Sequence, residues 1–132
     1  MTSIEQKINI LFAAFEANPF MKTGGLGDVA GALPLYLNDM GVETRVIMPL
    51  FSSIKEEYRK DMELIAEFKV PFSWRNQYLG LHKLKYKNTI FYFLDNEYYF
   101  KRDNPCGYFD DGQRIAFFSK AIITLIMSQI FK

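Results

Sequence analysis

The chain has 132 residues, 49% of them hydrophobic and 17% aromatic, enough apolar surface for one compact domain with a real core and unlike a disordered chain. The formal net charge is +1, so no global field draws a nucleic acid or an anionic membrane, and an anion site has to be local. One cysteine, Cys106, and one histidine, His82, exclude an internal disulfide and any metal site built on several Cys or His ligands.

The opening stretch Met1–Lys7 is short and polar, without the apolar core of a signal peptide. No run reaches the roughly 18 apolar residues of a membrane span. A cytoplasmic protein is expected. Lys7–Phe15, K-I-N-I-L-F-A-A-F, suits a strand buried on both faces of a parallel sheet. A loop with Asn18, Pro19, Gly24 and Gly25 follows. From Gly27 a helix is predicted, with Val29, Leu33, Leu37 and Met40 as its apolar face and Gly41 as its C′ residue. Pro34 predicts a kink or a break in it. Glu43–Leu50 reads as a second strand ended by Pro49, which completes a β-loop-α-β unit with a right-handed crossover.

Met62–Phe72, Tyr78–Tyr86 and Thr89–Leu94 are β-branched or aromatic with partial alternation. They predict strands that are partly antiparallel or inserted beside the sheet, with a tight turn at Lys87-Asn88. Residues 95–111 read as a loop. Gly112–Phe131 reads as a helix with Ile115, Phe118, Ile122 and Leu125 on one face. Phe117, Ile123, Ile126, Met127 and Ile130 cover much of the rest. A helix apolar nearly all round needs burial on several sides. Packing partners beyond position 132, or self-association through this helix, are expected.

The stretch that carries chemistry is Glu16-Ala-Asn-Pro-Phe-Met-Lys-Thr-Gly-Gly-Leu-Gly-Asp28, between the first strand and the first helix. There an α/β sheet offers free backbone N–H groups and the positive end of a helix dipole. Glycine lets backbone approach a ligand with no Cβ in the way, and Lys22 adds a mobile cation. The combination fits a phosphate site; it equally fits a glycine-rich turn with a surface lysine. In a P-loop the lysine follows the glycines, whereas Lys22 precedes them. Gly25-x-Gly27-x-x-x-Gly31 partly matches a dinucleotide fingerprint, but the acidic residue wanted after the second strand is missing, and Arg45 stands in that neighbourhood. A nicotinamide-binding module and a non-catalytic interaction domain stay as alternatives.

The order E-x-x-P-F-x-K-T-G-G-L-G-D-V-x-G-A-L-P from Glu16 to Pro34 closely resembles the N-terminal signature of bacterial glycogen synthases and plant starch synthases. The likeness continues through R-V-I-M-P at 45–49, D-N-E-Y-Y-F-K-R at 95–102 and D-D-G-Q-R-I-A-F-F-S-K-A at 110–121. The resemblance implies a glycosyltransferase B architecture, of which residues 1–132 would be an incomplete N-terminal Rossmann-like α/β half-domain. Its sheet would be mainly parallel with an antiparallel insertion. The remainder of that domain and a second Rossmann domain would be absent.

The implied activity is retaining transfer of glucose from ADP-glucose to the non-reducing 4-hydroxyl of an α-1,4-glucan, without a cofactor or a metal. By the same resemblance Lys22, Thr23, Gly24 and Gly25 lie by the donor diphosphate, supported by Glu16 and Asp28. The family's catalytic histidine lies in a histidine-aspartate motif downstream of position 132, and its second domain supplies further donor contacts. No catalytic residue is therefore expected within this chain, and alone it is expected to be inactive. Where family members carry a Tyr-Gly pair implicated in acceptor contact, Cys106-Gly107-Tyr108 stands here, which leaves Tyr108 as the possible contact.

Further residues have plain structural readings. Asp28 suits the first turn of the helix, complementing its dipole. Glu16 suits a brace for the loop through backbone N–H bonds. Arg102, Asp110 and Arg114 suit an ion-pair cluster, Tyr98, Tyr99 and Phe100 core packing ahead of sugar stacking, and His82 a partly exposed strand position.

Overall fold

A computed structural model describes residues 7–131; the polar N-terminal stretch lies outside them. Strands β1 (Asn9–Ala13), β2 (Glu43–Pro49), β3 (Glu63–Phe72), β4 (Arg75–Tyr86) and β5 (Thr89–Asp95) form one sheet in the order β1-β2-β5-β4-β3. β1, β2 and β5 run parallel, with Phe12 opposite Val46 and Val46 opposite Phe91. β4 pairs antiparallel with both β5 and β3. The expected combination of a parallel unit with antiparallel strands beside it is what forms. The β4–β5 turn falls at Lys87, whose φ of 55° places it in the left-handed region.

Among the described residues four helices join the sheet: α1 (Gly25–Asp39), α2 (Glu56–Arg59), α3 (Glu97–Phe100) and α4 (Asp111–Met127). The short α2 and α3 were not foreseen; α3 lies inside the expected 95–111 loop. Along β2 the side chains alternate between two cores. Val46 and Met48 join Phe91, Phe93, Ala17, Phe20 and Ala30 on the α1 face. Ile47 joins Tyr92, Leu94, Phe100, Phe117, Ala121 and Leu125 on the α4 face. β2 and β5 are thus the strands buried on both sides. β1, expected in that role, pairs only with β2 among the described residues and is half-exposed. Its Ile10 and Leu11 line an open groove of about 380 Å³ with Ile126 and Phe131.

Two helix faces differ from expectation. α1 buries Gly27, Ala30 and Pro34 and leaves Val29, Leu33 and Met40 exposed, Met40 by 77%. The reason is distance. A Cβ on Gly31 would stand 2.4 Å from the Asn18 carbonyl oxygen and 3.0 Å from its nitrogen, so only small residues fit where the helix crosses the first loop. Pro34 neither ends the helix nor divides it. It forfeits one bond to the Ala30 carbonyl, and burial of Ala30 and Pro34 carries the helix through. Gly41 does cap it: at φ 87° its N–H reaches the Asn38 carbonyl while that of Val42 reaches Leu37 at 2.9 Å, a Schellman ending. α4 buries Arg114, Phe117, Phe118, Ala121 and Leu125 and exposes Ile115, Ile123, Ile126 and Met127. Ile115, expected on its buried face, is therefore on the outer one.

The close approach at Gly31 has a measurable consequence. Gly31→Ala should destabilise the fold by about 1–3 kcal/mol, because the Asn18 backbone has to move for the added methyl. Urea denaturation followed by circular dichroism measures it.

Candidate functional site

In open α/β sheets, loops leaving the carboxyl ends of parallel strands form the binding edge. Three such loops leave β1, β2 and β5 on one edge here. The first holds the glycine-rich segment. Ala17, Phe20 and Met21 anchor it in the α1-side core. Ala17 and Met21 form an isolated bridge, and the Asn18 N–H reaches the Gly27 carbonyl at 2.9 Å.

Glu16 organises what lies between these anchors. The residue is 5% exposed, and its carboxylate accepts hydrogen bonds from the N–H groups of Gly27 at 2.8 Å and of Thr23 and Gly24 at 3.2 Å each, and from the Thr23 hydroxyl. Burial alone would push this carboxyl up, but the hydrogen bonds from Thr23, Gly27 and Gly24 outweigh it and hold the group below the ordinary glutamate range. The brace expected at Glu16 is present. It also takes up the amides of Thr23 and Gly24, two residues that the resemblance places by the donor diphosphate. Those of Thr23 and Gly24 point at Glu16, whereas among the described residues no acceptor faces the N–H groups of Gly25 and Leu26 at the start of α1.

Lys22 Nζ sits 3.0 Å from Asp28 Oδ1, with both side chains about half-exposed. Asp28 therefore does more than face the helix dipole. Gly27 is closely covered: a Cβ there would stand 3.0 Å from Lys22 Cγ and 3.2 Å from Glu16 Oε1. Gly24 and Gly25 differ: a Cβ would meet nothing within 4 Å at either position.

The loop after β5 carries the second cluster. Arg102 and Asp110 form a two-pronged pair at 3.0 and 2.9 Å, which holds the Asp110 carboxyl well below the usual carboxylate range. Arg114 is fully buried. It donates to the carbonyls of Tyr99 at 2.7 Å and Pro105 at 2.9 Å and to Asp111 at 3.1 Å. Its Nη2 finds no acceptor among the described residues. The guanidiniums of Arg102 and Arg114 lie over the Tyr108 ring at 4.9 and 5.0 Å, and that of Arg114 also lies over Phe15. Phe15, next to Glu16, packs edge-on against Phe118, so the first loop and the α4 side share a wall. Tyr99 and Phe100 are core residues; Tyr98 is exposed. Among the described residues no group of three or more His, Cys, Asp or Glu could hold a metal ion.

A family model described as the starch synthase catalytic domain matches residues 9–131. The chain belongs to the starch synthase catalytic domain family. It is 46% identical over 125 residues to the glycogen synthase of Clostridium kluyveri, covering 95% of this chain and 26% of that one. It is 54% identical over 119 residues to that of Clostridium novyi, covering 90% and 25%. Among solved structures, the catalytic domain of starch synthase IV from Arabidopsis thaliana bound to ADP and acarbose is similar, with a TM-score of 0.84 and 22% identity over 94% of this chain and 26% of that one. That likeness shows the fold, an α/β arrangement of the starch synthase catalytic domain type. The chain spans about a quarter of the length of the curated relatives it matches. Among the described residues no helix is long and apolar enough to cross a membrane.

In this starch synthase family chain His82 is partly exposed and 3.9 Å from Asp95, a strand position as expected. Sequence reasoning placed Arg114 in an ion-pair cluster but missed its full burial. The signal was available: an arginine three residues before the Phe117-Phe118 pair on one helix face.

The lowered Glu16 and Asp110 carboxyls fix the sign of the pH response. Groups depressed on folding stabilise above their unfolded values, and that contribution is lost as pH falls through the folded ones. The melting temperature should drop steadily below about pH 4.5, the ordinary glutamate value. Glu16→Gln should cost about 2 kcal/mol at neutral pH, since its amide turns donors toward donors, and should flatten part of that acid slope. Thermal melts of both proteins across pH test this.

Proposed function

We propose that this chain forms one wall of the donor site of a glycogen synthase, an enzyme that transfers glucose from ADP-glucose to the end of an α-1,4-glucan. Residues 1–132 would be the opening part of its N-terminal catalytic domain, with the catalytic groups and the nucleoside contacts supplied by other parts of the protein. The observation that carries the reading is at Gly24 and Gly25. Neither has a φ in the left-handed region, and neither has a neighbour that a Cβ would touch. The described residues make no demand for glycine at either position, and its presence there suits a molecule that approaches the backbone closely.

The donor's diphosphate supplies the matching chemistry. The N–H groups of Gly25 and Leu26 open the helix, and Lys22 lies against Gly27 and reaches Asp28 in the same first turn. An exposed pair such as Lys22–Asp28 is worth at most about 1 kcal/mol, so a doubly charged diphosphate competes for the ammonium. There Lys22 would meet negative charge growing on the ADP leaving group, an interaction stronger in the transition state than in the ground state. Glu16 would hold the loop's shape, acting through Thr23 and Gly27 with no contact to the ligand. Tyr108 would meet the glucan acceptor with its edge and hydroxyl, its ring being engaged by Arg102 and Arg114. A cytoplasmic location suits the exposed free thiol of Cys106.

Titration with ADP-glucose at millimolar concentration should move the amide resonances of Lys22, Gly25 and Leu26; unchanged resonances would overturn the donor-site reading. Gly25→Ala should leave stability within about 0.5 kcal/mol of wild type and weaken ADP-glucose binding. In the full-length protein, Lys22→Ala should lower kcat by about 10²-fold with the fold unchanged.

A further inference from the structure

Tyr108 stands in a turn that the start of α4 grips from one side. Asp111, the first residue of that helix, accepts from the Gly107 N–H at 2.7 Å with one carboxylate oxygen and from the Tyr108 N–H at 3.1 Å with the other. The second oxygen also takes Nη1 of Arg114 at 3.1 Å. The same nitrogen reaches back to the Pro105 carbonyl at 2.9 Å, and Arg114 Nε reaches the Tyr99 carbonyl at 2.7 Å. Pro105, Gly107 and Tyr108 are therefore tied to two side chains in the first turn of one helix. Gly107 has a φ of 98°, in the left-handed region that favours glycine. The Asn104 N–H donates to the Tyr108 hydroxyl oxygen at 3.3 Å, which leaves the hydroxyl its own proton to donate.

Packing alone does not ask for this arrangement. Arg114 is fully buried, on the same helix as the buried Phe117 and Phe118. An apolar side chain suits such a place, whereas a buried charge is costly to hold there. Its Nη2 adds to that cost, because it meets no acceptor among the described residues. What a guanidinium supplies and an apolar group cannot is direction: hydrogen bonds at fixed angles and a flat face. That face lies over the Tyr108 ring at 5.0 Å and over the Phe15 ring at 5.7 Å. Arg102, fixed by Asp110, lies over the Tyr108 ring as well. The backbone, the hydroxyl and the ring of Tyr108 are thus all held. Phe15 immediately precedes Glu16, so one guanidinium faces both the turn and the base of the first loop.

Asp111 has the same part in this turn that Glu16 has in the first loop: one carboxylate gathers neighbouring N–H groups beside a glycine. A side chain that meets a substrate with its edge and hydroxyl works only when those atoms keep one position. A displacement of about 1 Å can cost two orders of magnitude in rate.

We propose that Asp111 and Arg114 are positioning residues for the transfer reaction, which touch no substrate and set the place of Tyr108 relative to the first loop. This rests on the reading above, in which Tyr108 meets the acceptor.

Amide exchange in this chain reads the grip directly. Asp111→Asn, at a part-exposed side chain, should fold with an unchanged circular dichroism spectrum. It should speed exchange at Gly107 and Tyr108 about tenfold and leave Gly24 and Gly27 unaltered. In the full-length protein the same substitution should lower kcat/KM for maltoheptaose about tenfold and leave KM for ADP-glucose within about twofold. Gly107→Ala, which strains the turn and spares the carboxylate, should give the same split. Asp111→Glu, which returns a carboxylate, should recover most of the loss. A residue that only held the fold together would lower the melting temperature and leave this split unmoved. Unchanged kcat/KM for maltoheptaose in both Asp111→Asn and Gly107→Ala overturns the positioning role, and so does an equal loss toward ADP-glucose. If the full-length wild type transfers glucose and these variants match it, the positioning role falls and the transfer reading stands. If the full-length wild type transfers no glucose from ADP-glucose, the transfer reading falls and the positioning role with it.

Discussion

The Glu16 carboxylate lies beneath the first loop and takes its hydrogen bonds from Thr23, Gly24 and Gly27. A glycine-rich loop is entropically costly to hold in one shape. A buried anion that accepts several N–H groups at once holds it, because each bond is charge-assisted and short-range. The same contact sets the position of Lys22, whose Cα and Cγ close over Gly27, and fixes the start of α1. The geometry of the candidate donor site therefore depends on a residue that would never touch the donor.

The neighbouring loop uses the opposite arrangement, a buried cation with carbonyl partners. Arg114 gathers Tyr99, Pro105 and Asp111 around one guanidinium, while Arg102 and Asp110 close the outer side. Burying a charge is costly unless it is well paired, and carbonyls from two parts of the chain supply that pairing here. Phe15 joins the two arrangements, lying under the Arg114 guanidinium and against Phe118. Two loops far apart in sequence thus become one continuous edge over the parallel strands.

Much of this was legible in the residue order. The strand-loop-helix-strand unit, the three later strands, the C′ glycine at 41 and the bracing role of Glu16 all follow from local rules: apolar period, turn chemistry, and a carboxylate near free N–H groups. The face of α1 was not legible: Val29 and Leu33 are large and apolar at helical spacing, yet α1 is seated on Gly27, Ala30 and Pro34. Backbone proximity at Asn18 selected small residues for the contact, and helical periodicity cannot show what the helix lies against.

The sequence by itself determined the family, the α/β class and which short segment carries the chemistry, since these depend on residue identity and spacing along the chain. Tertiary structure alone decided which amides of that segment stay free, that Lys22 is paired with Asp28, and that Arg114 lies over Phe15 as well as Tyr108. Those facts depend on distances between residues remote in the chain, and such distances arise only when the sheet brings its loops to a common edge.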